Sequence, residues 1–414
     1  MFTRREFLGR GTAGVSALVL GGSLPGLLAR AAAAAEKNGQ SDRVLVVIEL
    51  AGGNDGLNTL IPLENDLYYK NRPKLAIAKS GAIRLNDELA LHPGMKPLAE
   101  LFKQGKLSIA QGVGYPEPDR SHFRSMEIWH TASTGPSSKT TGWLGRLLDQ
   151  QLESRERQRP EDLAGVALTD TLPQALQAEH SSAPVIQSLE GLDEAGGQSA
   201  QAAVVLRELS EPQIGTSGAA AFIGLQAEGA FQIRQRLINA RARYRSAVTY
   251  PEGDLGAQLR RAAQILAGDL DTRVIFASLG GFDTHSNQAD QHGALLAHLA
   301  GSLFAFQQDL EQLKLADRVV TIVFSEFGRR VDENSSGGTD HGAASCLFAL
   351  GSQVQGGLVG KYPSLEKLGD GDLIFNTDFR SVYATLLDRW LLASSAGLLG
   401  GKFEHLPLLK TKLG

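Results

Sequence analysis

The 414-residue chain contains a single cysteine, Cys346, so no intramolecular disulfide can form. Cys346 sits inside the apolar run Cys346-Leu347-Phe348-Ala349-Leu350 and reads as a small core residue. Positive charge is not in excess either: 41 Lys and Arg stand against 45 Asp and Glu, a formal net charge of −4. The broad basic surface that nucleic-acid binding needs is missing, and that class of partner is set aside. Past the first 35 residues no apolar run reaches the ~20 residues of a spanning helix. The Gly52-Gly53 turn is followed by no Gly-Lys-Ser/Thr and holds no G-x-G-x-x-G, which argues against a nucleotide cofactor. No internal repeat is visible. What remains is ordinary globular composition, 42% hydrophobic and 21% charged, enough for a sizeable core.

The chain opens Thr3-Arg4-Arg5-Glu6-Phe7-Leu8, a paired arginine with an apolar residue two places on, the address read by the exporter of folded proteins. A weakly apolar stretch from Ala13 to Leu28 and an alanine run ending at Ala35 complete the order of charged, apolar and small-residue regions. Gly21, Gly22, Ser23 and Pro25 interrupt the apolar stretch, which disfavours a membrane anchor. Residues 1–35 are therefore expected to be a twin-arginine signal, with the twin-arginine translocase as partner and a periplasmic or extracellular destination. Cleavage is expected near Ala33 to Ala35, after which no stable membrane span remains, while retention as an uncleaved anchor stays open.

Residues 36–414 read as one domain. Arg43 to Leu50 is a nearly continuous β-branched run, the pattern of a buried parallel strand, ending in the glycine-rich turn Ala51-Gly52-Gly53-Asn54-Asp55-Gly56. Met95 to Lys103 has helical spacing, Leu107 to Ala110 reads as a strand, and Ser121 begins a helix whose apolar face is Phe123, Met126 and Trp129. From about 150 to 251 the pattern weakens into an expected insertion of helices and surface connections, with Glu190 to Gln201 as a mobile loop. Order returns with a helix near Leu255 to Gly268, a strand Arg273 to Ser278, a long helix from about Gln288 to Leu313 and a strand Arg318 to Phe324. A last helix is expected over Phe379 to Leu392. Strands alternating with helices predict an α/β layered fold with a mostly parallel central sheet flanked by helices.

Three acidic or histidine-bearing turns follow predicted strands directly: Asp55, the pair Asp283 and His285, and Glu326. A fourth, Asp340-His341, lies in a glycine-flanked loop. Parallel neighbouring strands would open all of them on one sheet edge, where α/β folds place their ligands. Oxygen ligands suit hard cations such as calcium and magnesium, and imidazole suits zinc, manganese or iron, so the set has the composition for one or two divalent metals. Ser121, at a helix start beside His122 and Arg124, is placed to meet an anion with backbone amides and to act as a nucleophile on a phosphate or sulfate ester. Plainer readings stand beside these. Ser121 is otherwise an N-cap, Asp55 an Asx-turn residue, Asp283 and His285 a turn, and Arg124 a solvated helix residue. Glu326 with Arg329 and Arg330 is otherwise a surface ion pair. His292 and His298, on the long helix, read as solvated.

Taken together, Glu49-Leu50-Ala51-Gly52-Gly53-Asn54-Asp55-Gly56-Leu57-Asn58, Arg120-Ser121-His122-Phe123, Gly142-Trp143-Leu144-Gly145-Arg146, Gly281 to His285, Ser325 to Arg329 and Thr339 to Gly342 resemble the DUF1501 family over nearly the whole chain after the signal. That family commonly carries twin-arginine signals, has no settled biochemical function, and is similar in fold to the alkaline phosphatase and sulfatase superfamily. The resemblance implies an alkaline-phosphatase-like fold in which Asp55 is the first-strand metal ligand and Ser121 the counterpart of the nucleophile. Asp283 with His285 forms a ligand pair, Glu326 stands where the superfamily has an Asp-His pair, and Asp340 or His341 supplies the late site. Asp283 and His285 are one residue apart rather than three, and Phe327 follows Glu326 instead of histidine, which leaves two metals, one or none open. The resulting expectation is an exported metal-dependent hydrolase of phosphate or sulfate esters, acting on a small molecule or polymer. The rivals are an inactive relative that binds an envelope partner or polymer through the same cleft, and an enzyme passing a phosphoryl group to an acceptor other than water.

Overall fold

Seven consecutive buried residues, Val44–Leu50, form strand β1 in the middle of an eight-stranded sheet. Alternate side chains go to opposite faces: Val44, Val46, Ile48 and Leu50 join one apolar cluster, Leu45 and Val47 another. A strand buried on both faces has no polar alternation, and this explains the continuous apolar run in the sequence. The computed structural model describes residues 42–135, 140–153, 163–190 and 219–411, with only the helical backbone over 219–228. The expected signal at 1–35 and the loop residues 191–201 lie outside the described residues. No helix among the described residues is long and apolar enough to cross a membrane.

Strands β2 (Leu60–Pro62), β3 (Ile83–Arg84) and β4 (Leu89–Leu91) make a small antiparallel sheet in the order β2-β4-β3. The main sheet is built from β5 (Leu107–Gly114), β6 (Gly165–Ala167), β7 (Val274–Leu279), β8 (Val319–Phe324), β9 (Ser345–Leu350) and β10 (Gly357–Val359) around β1. Its order is β10-β5-β9-β8-β1-β7-β6. The hairpin β11 (Leu368–Gly369) and β12 (Asp372–Leu373) stands apart, and β13 (Thr377–Asp378) adds to β5. Within the main sheet β9 alone is antiparallel to its neighbours β5 and β8 among the described residues, so the expected mostly parallel sheet is what forms. One difference lies in the stretch 150–251: Gly165–Ala167, too short to show a periodicity, pairs with β7 as the sheet's edge.

Helices α1 (Lys96–Lys103), α4 (Ala219–Arg243), α5 (Asp254–Ala267) and α6 (Gln288–Gln312) contribute to the cluster on one face. Helices α2 (His122–Thr131), α3 (Trp143–Glu153) and α7 (Phe379–Thr385) contribute to the other, giving three layers. In the second layer Trp129 stacks between Phe324 and Phe379, with ring centroids 4.9 and 4.4 Å away. Burying such a side chain contributes roughly 1.5–3 kcal/mol, so this stack fixes α2 firmly over the end of β8. The expected last helix continues past Thr385 as a wider turn over Leu386–Trp390. Cys346 is buried in β9, as a core residue should be, and burial pushes its thiol up to about 12.

Register decides what the loops can do. Glu49 of β1 lies opposite Ser278 of β7 and Phe324 of β8, so three parallel neighbours end at one level and release their loops side by side. Strand β9 is antiparallel and begins at that same edge, which brings the preceding Asp340-His341 loop there. Strand β5 is also antiparallel to β9 and hence runs with β8, so the chain after Gly114 arrives at this edge too.

Candidate functional site

Four side chains converge at the carboxyl edge. Asp283 and His285 follow β7, His341 precedes β9, and His122 is the first residue of α2. The Nε2 atoms of His285 and His341 are 3.0 Å apart, and each is 3.0 Å from Asp283 Oδ1. His122 Nε2 lies 3.6 Å from Asp283 Oδ2. The ligand atoms of His122, Asp283 and His341 all fall within 4.8 Å of one another.

Each imidazole has an oxygen partner on its far side. Glu326 Oε1 lies 2.9 Å from His122 Nδ1, the Arg120 carbonyl 2.8 Å from His341 Nδ1, and Asp340 Oδ1 3.3 Å from His285 Nδ1. Each oxygen accepts, so each Nδ1 is placed to donate, and a ring in its neutral form would turn an Nε2 lone pair to the centre. Three lone pairs and a carboxylate facing one another repel unless positive charge lies between them. Oxygen partners behind the ring are the arrangement that orients histidine for a metal. The hydrogen bond that Glu326 accepts from it, against partial burial, raises His122 above its ordinary value and so favours the imidazolium, whose Nε2 proton a bound cation would replace. Burial alone would raise Asp283, but the bonds from His341 and Arg329 outweigh it and hold its carboxyl down at about 2.

The remaining expected residues take other places. Glu326 is buried; besides His122 it accepts the Gly52 amide at 2.8 Å and the Ser325 hydroxyl at 3.0 Å, so it aims an imidazole from behind. Asp340 does the same for His285 while also accepting from Asn334 at 3.2 Å. Asp55 is not in the cluster. Its Oδ1 accepts the amides of Leu57 and Asn58 and its Oδ2 the side chains of Arg72 and Gln288, all buried. Ser121 holds the N-cap position but makes no capping bond, and its hydroxyl is exposed without a partner among the described residues. Arg124 turns to Glu127 at 2.7 Å and to the Gly135 carbonyl, away from an anion role.

Two sequence readings are corrected. Arg329 is no surface residue: it is buried, donating to the carbonyls of Gly52, Gly53, Phe282 and Thr339 and, at 2.8 Å, to Asp283 Oδ1. One guanidinium thus ties the β1 and β7 loops to the loop before β9, and its five fixed donors suit that task. His292 is not solvated but buried, with Nε2 2.9 Å from Asn54 Oδ1. The signal that would have found Arg329 was faint, an arginine five residues beyond the strand end Phe324, after Ser325-Glu326-Phe327-Gly328. Gly52 allows the close approach of the loops. Its φ is +121°, and a Cβ there would stand 2.4 Å from the Asp283 amide nitrogen.

Fold and site together define a mixed α/β protein with a histidine-rich, metal-fitting cluster at the carboxyl edge of its sheet. The chain belongs to the DUF1501 family, described as a protein of unknown function, whose profile matches residues 42–389. Solved structures to which it is similar include the lipoteichoic acid synthase LtaP from Listeria monocytogenes, at 9% identity and TM-score 0.35, covering 87% of this chain and 73% of that one. Another is a protein in the alkaline phosphatase superfamily from Vibrio parahaemolyticus, at 11% identity and TM-score 0.38, covering 87% and 70%. A third is the C-terminal periplasmic domain of EcEptC from Escherichia coli, at 8% identity and TM-score 0.38, covering 84% and 82%. No curated protein matches the chain.

Proposed function

We propose that this protein is an exported, metal-dependent hydrolase of phosphate or sulfate esters. The observation that carries the reading is the set of three imidazole Nε2 atoms gathered at the Asp283 carboxylate, each ring held from behind by an oxygen. A nitrogen-rich donor set of this kind fits zinc or manganese better than calcium or magnesium. Asp283, His285, His341 and His122 would hold the cation, and when bound it supplies positive charge to an anionic ester. Export through the twin-arginine translocase rests on the Arg4-Arg5 segment and places the activity outside the cytoplasm.

Ser121 is the nucleophile in this reading. The first amides of α2 have no partner inside the helix and face whatever anion meets its start. Ser121 Oγ forms a bond to phosphorus or sulfur as the bond to the alcohol oxygen breaks. The serine proton ends on the departing alcohol, and water then releases the inorganic anion and restores the hydroxyl. Arg329 and Glu326 keep Asp283 and His122 in place throughout.

His341→Ala and Asp283→Ala test the reading directly. Each is expected to lose both bound metal, by elemental analysis, and ester cleavage, while circular dichroism stays that of the parent. Unchanged turnover in either variant overturns the assignment. One observation favours the inactive, ligand-binding rival: Arg124 is spent on Glu127 and leaves the helix start without a free arginine. That rival expects a metal-free purified protein with no turnover of any phosphate or sulfate ester.

A further inference from the structure

Beside the cluster opens a groove of about 730 Å³, walled by the 118–120 turn on one side and by the β11–β12 hairpin with Ile374 and Phe375 on the other. We propose that this groove receives the alcohol part of the ester, and that the alcohol it selects is an uncharged, hydroxylated ring such as a pyranoside. The assignment to an ester rests on the hydrolase reading above; the class of ligand rests on the groove itself.

Position comes first. Arg120 belongs to both places, because its carbonyl accepts from His341 Nδ1 at 2.8 Å while its guanidinium closes the groove. Asp119, another wall residue, accepts the Ser121 amide at 2.7 Å. The groove is therefore continuous along the chain with the nucleophile and with one imidazole. Its volume is in the range of ~300–1,000 Å³ that holds organic ligands, far more than an inorganic anion needs.

Charge selects the class. Arg120 bonds Asp372 Oδ2 at 2.6 and 2.8 Å and Asp370 Oδ2 at 2.9 Å. Arg330 stands 3.7 Å from Asp370 and 3.9 Å from Asp372. Two cations are thus neutralised by two anions, which leaves Asp119 as the uncompensated charge. No guanidinium is free for a second phosphate or sulfate, and Asp119 repels one. A cationic ligand gains little, since Asp370 and Asp372 already have partners. Carboxylate oxygens at Asp119 and Asp370 do suit the hydroxyls of a neutral polyol. Pro118, Phe375 and Ile374, the last 51% exposed, offer apolar surface for the carbon face of a ring.

Ile374→Asp and Ile374→Lys test this at an exposed wall residue of the groove, outside the proposed catalytic and metal-holding residues. The probes are methyl β-D-glucopyranoside and the corresponding anionic glucuronide, with binding followed by saturation-transfer NMR, which requires no turnover. The wild type is expected to bind the neutral glycoside saturably, with affinity about tenfold weaker in Ile374→Asp, and to bind the glucuronide at least tenfold more weakly. Ile374→Lys is expected to narrow or reverse that preference. No saturable binding of the neutral glycoside, equal binding by wild type and Ile374→Asp, or equal affinity for the anionic probe overturns the groove assignment. Phosphate esters of the same glycosides separate the two ideas. Turnover indifferent to Ile374 sinks the groove and keeps the hydrolase, whereas Ile374-dependent glycoside binding without turnover keeps the groove's ligand class and sinks the hydrolase.

Discussion

Replacing Arg72 by methionine is a sharp test of what Asp55 does. Arg72 is fully buried, and it donates to Asp55 Oδ2, to the Val331 carbonyl at 2.9 Å and to the Arg330 carbonyl at 2.8 Å. Asp55 is equally buried, and although burial alone would raise its pKa, the Arg72 charge and the bonds from Arg72 and Asn58 hold it below the ordinary aspartate value. Removing one member of a buried ion pair strands the other's charge and costs about 3–5 kcal/mol. Two carbonyls lose donors as well, so Arg72→Met is expected at the upper part of that range, read as the shift in a urea unfolding curve. The double variant Arg72→Met with Asp55→Asn should be less damaged than the two single losses added together by at least ~1 kcal/mol, because no stranded carboxylate remains. Acid gives a second check. A carboxyl whose folded pKa is depressed stabilises the fold above its unfolded value of ~3.9 and loses that contribution as pH falls below it. The stability difference between wild type and Asp55→Asn should therefore shrink below about pH 4. A single Arg72→Met loss under ~1 kcal/mol would refute the structural role, and would return Asp55 to consideration as a ligand.

Two further outcomes can be measured on the same protein. Glu326→Gln keeps the size of the side chain but weakens the acceptor behind His122, and it should reduce metal affinity about 10–100-fold in a calorimetric titration; undiminished affinity would show that His122 is not oriented for a cation. Burial, opposed by the Asp55 charge, lowers His292 to about 4. Its unfolded form takes up a proton near pH 6.5, so stability from keeping it neutral is complete above that pH and is lost as pH falls toward 4, by up to roughly 3 kcal/mol. His292→Gln should flatten the stability profile across that window, and an unaltered slope would refute the assignment.

The strands and the acidic and histidine residues at their ends were legible in the sequence because both are local. A β-branched run such as Val44 to Leu50 can be satisfied only in a doubly covered sheet, and the turn residues Asp283, His285 and Asp340-His341 stand out directly after or near such runs. Asp55 stands in the same kind of place, yet its neighbour in space is Arg72, which directly follows the short helix Asp66–Asn71 and lies in no motif. His292 was misread for a related cause: one polar residue on a long helix looks solvated until the sheet edge packs against it.

By itself, then, the sequence determined the layered α/β fold, the impossibility of an intramolecular disulfide, the family and the loops that carry the acidic and histidine residues. These follow from composition and short-range pattern, where each residue's preference is expressed over a few neighbours. Which turn residues meet was decided by tertiary structure. His122 reaches Glu326 across 204 positions, and His341 reaches Arg120 across 221. Strand order and register set those distances, and burial then separates Asp55, neutralised by Arg72, from Asp283, left at the surface among three imidazoles. The same carboxylate chemistry serves packing in one place and a metal-fitting cluster in the other because the fold seals the first against Arg72 and leaves the second, though bonded to Arg329, open to solvent among three imidazoles.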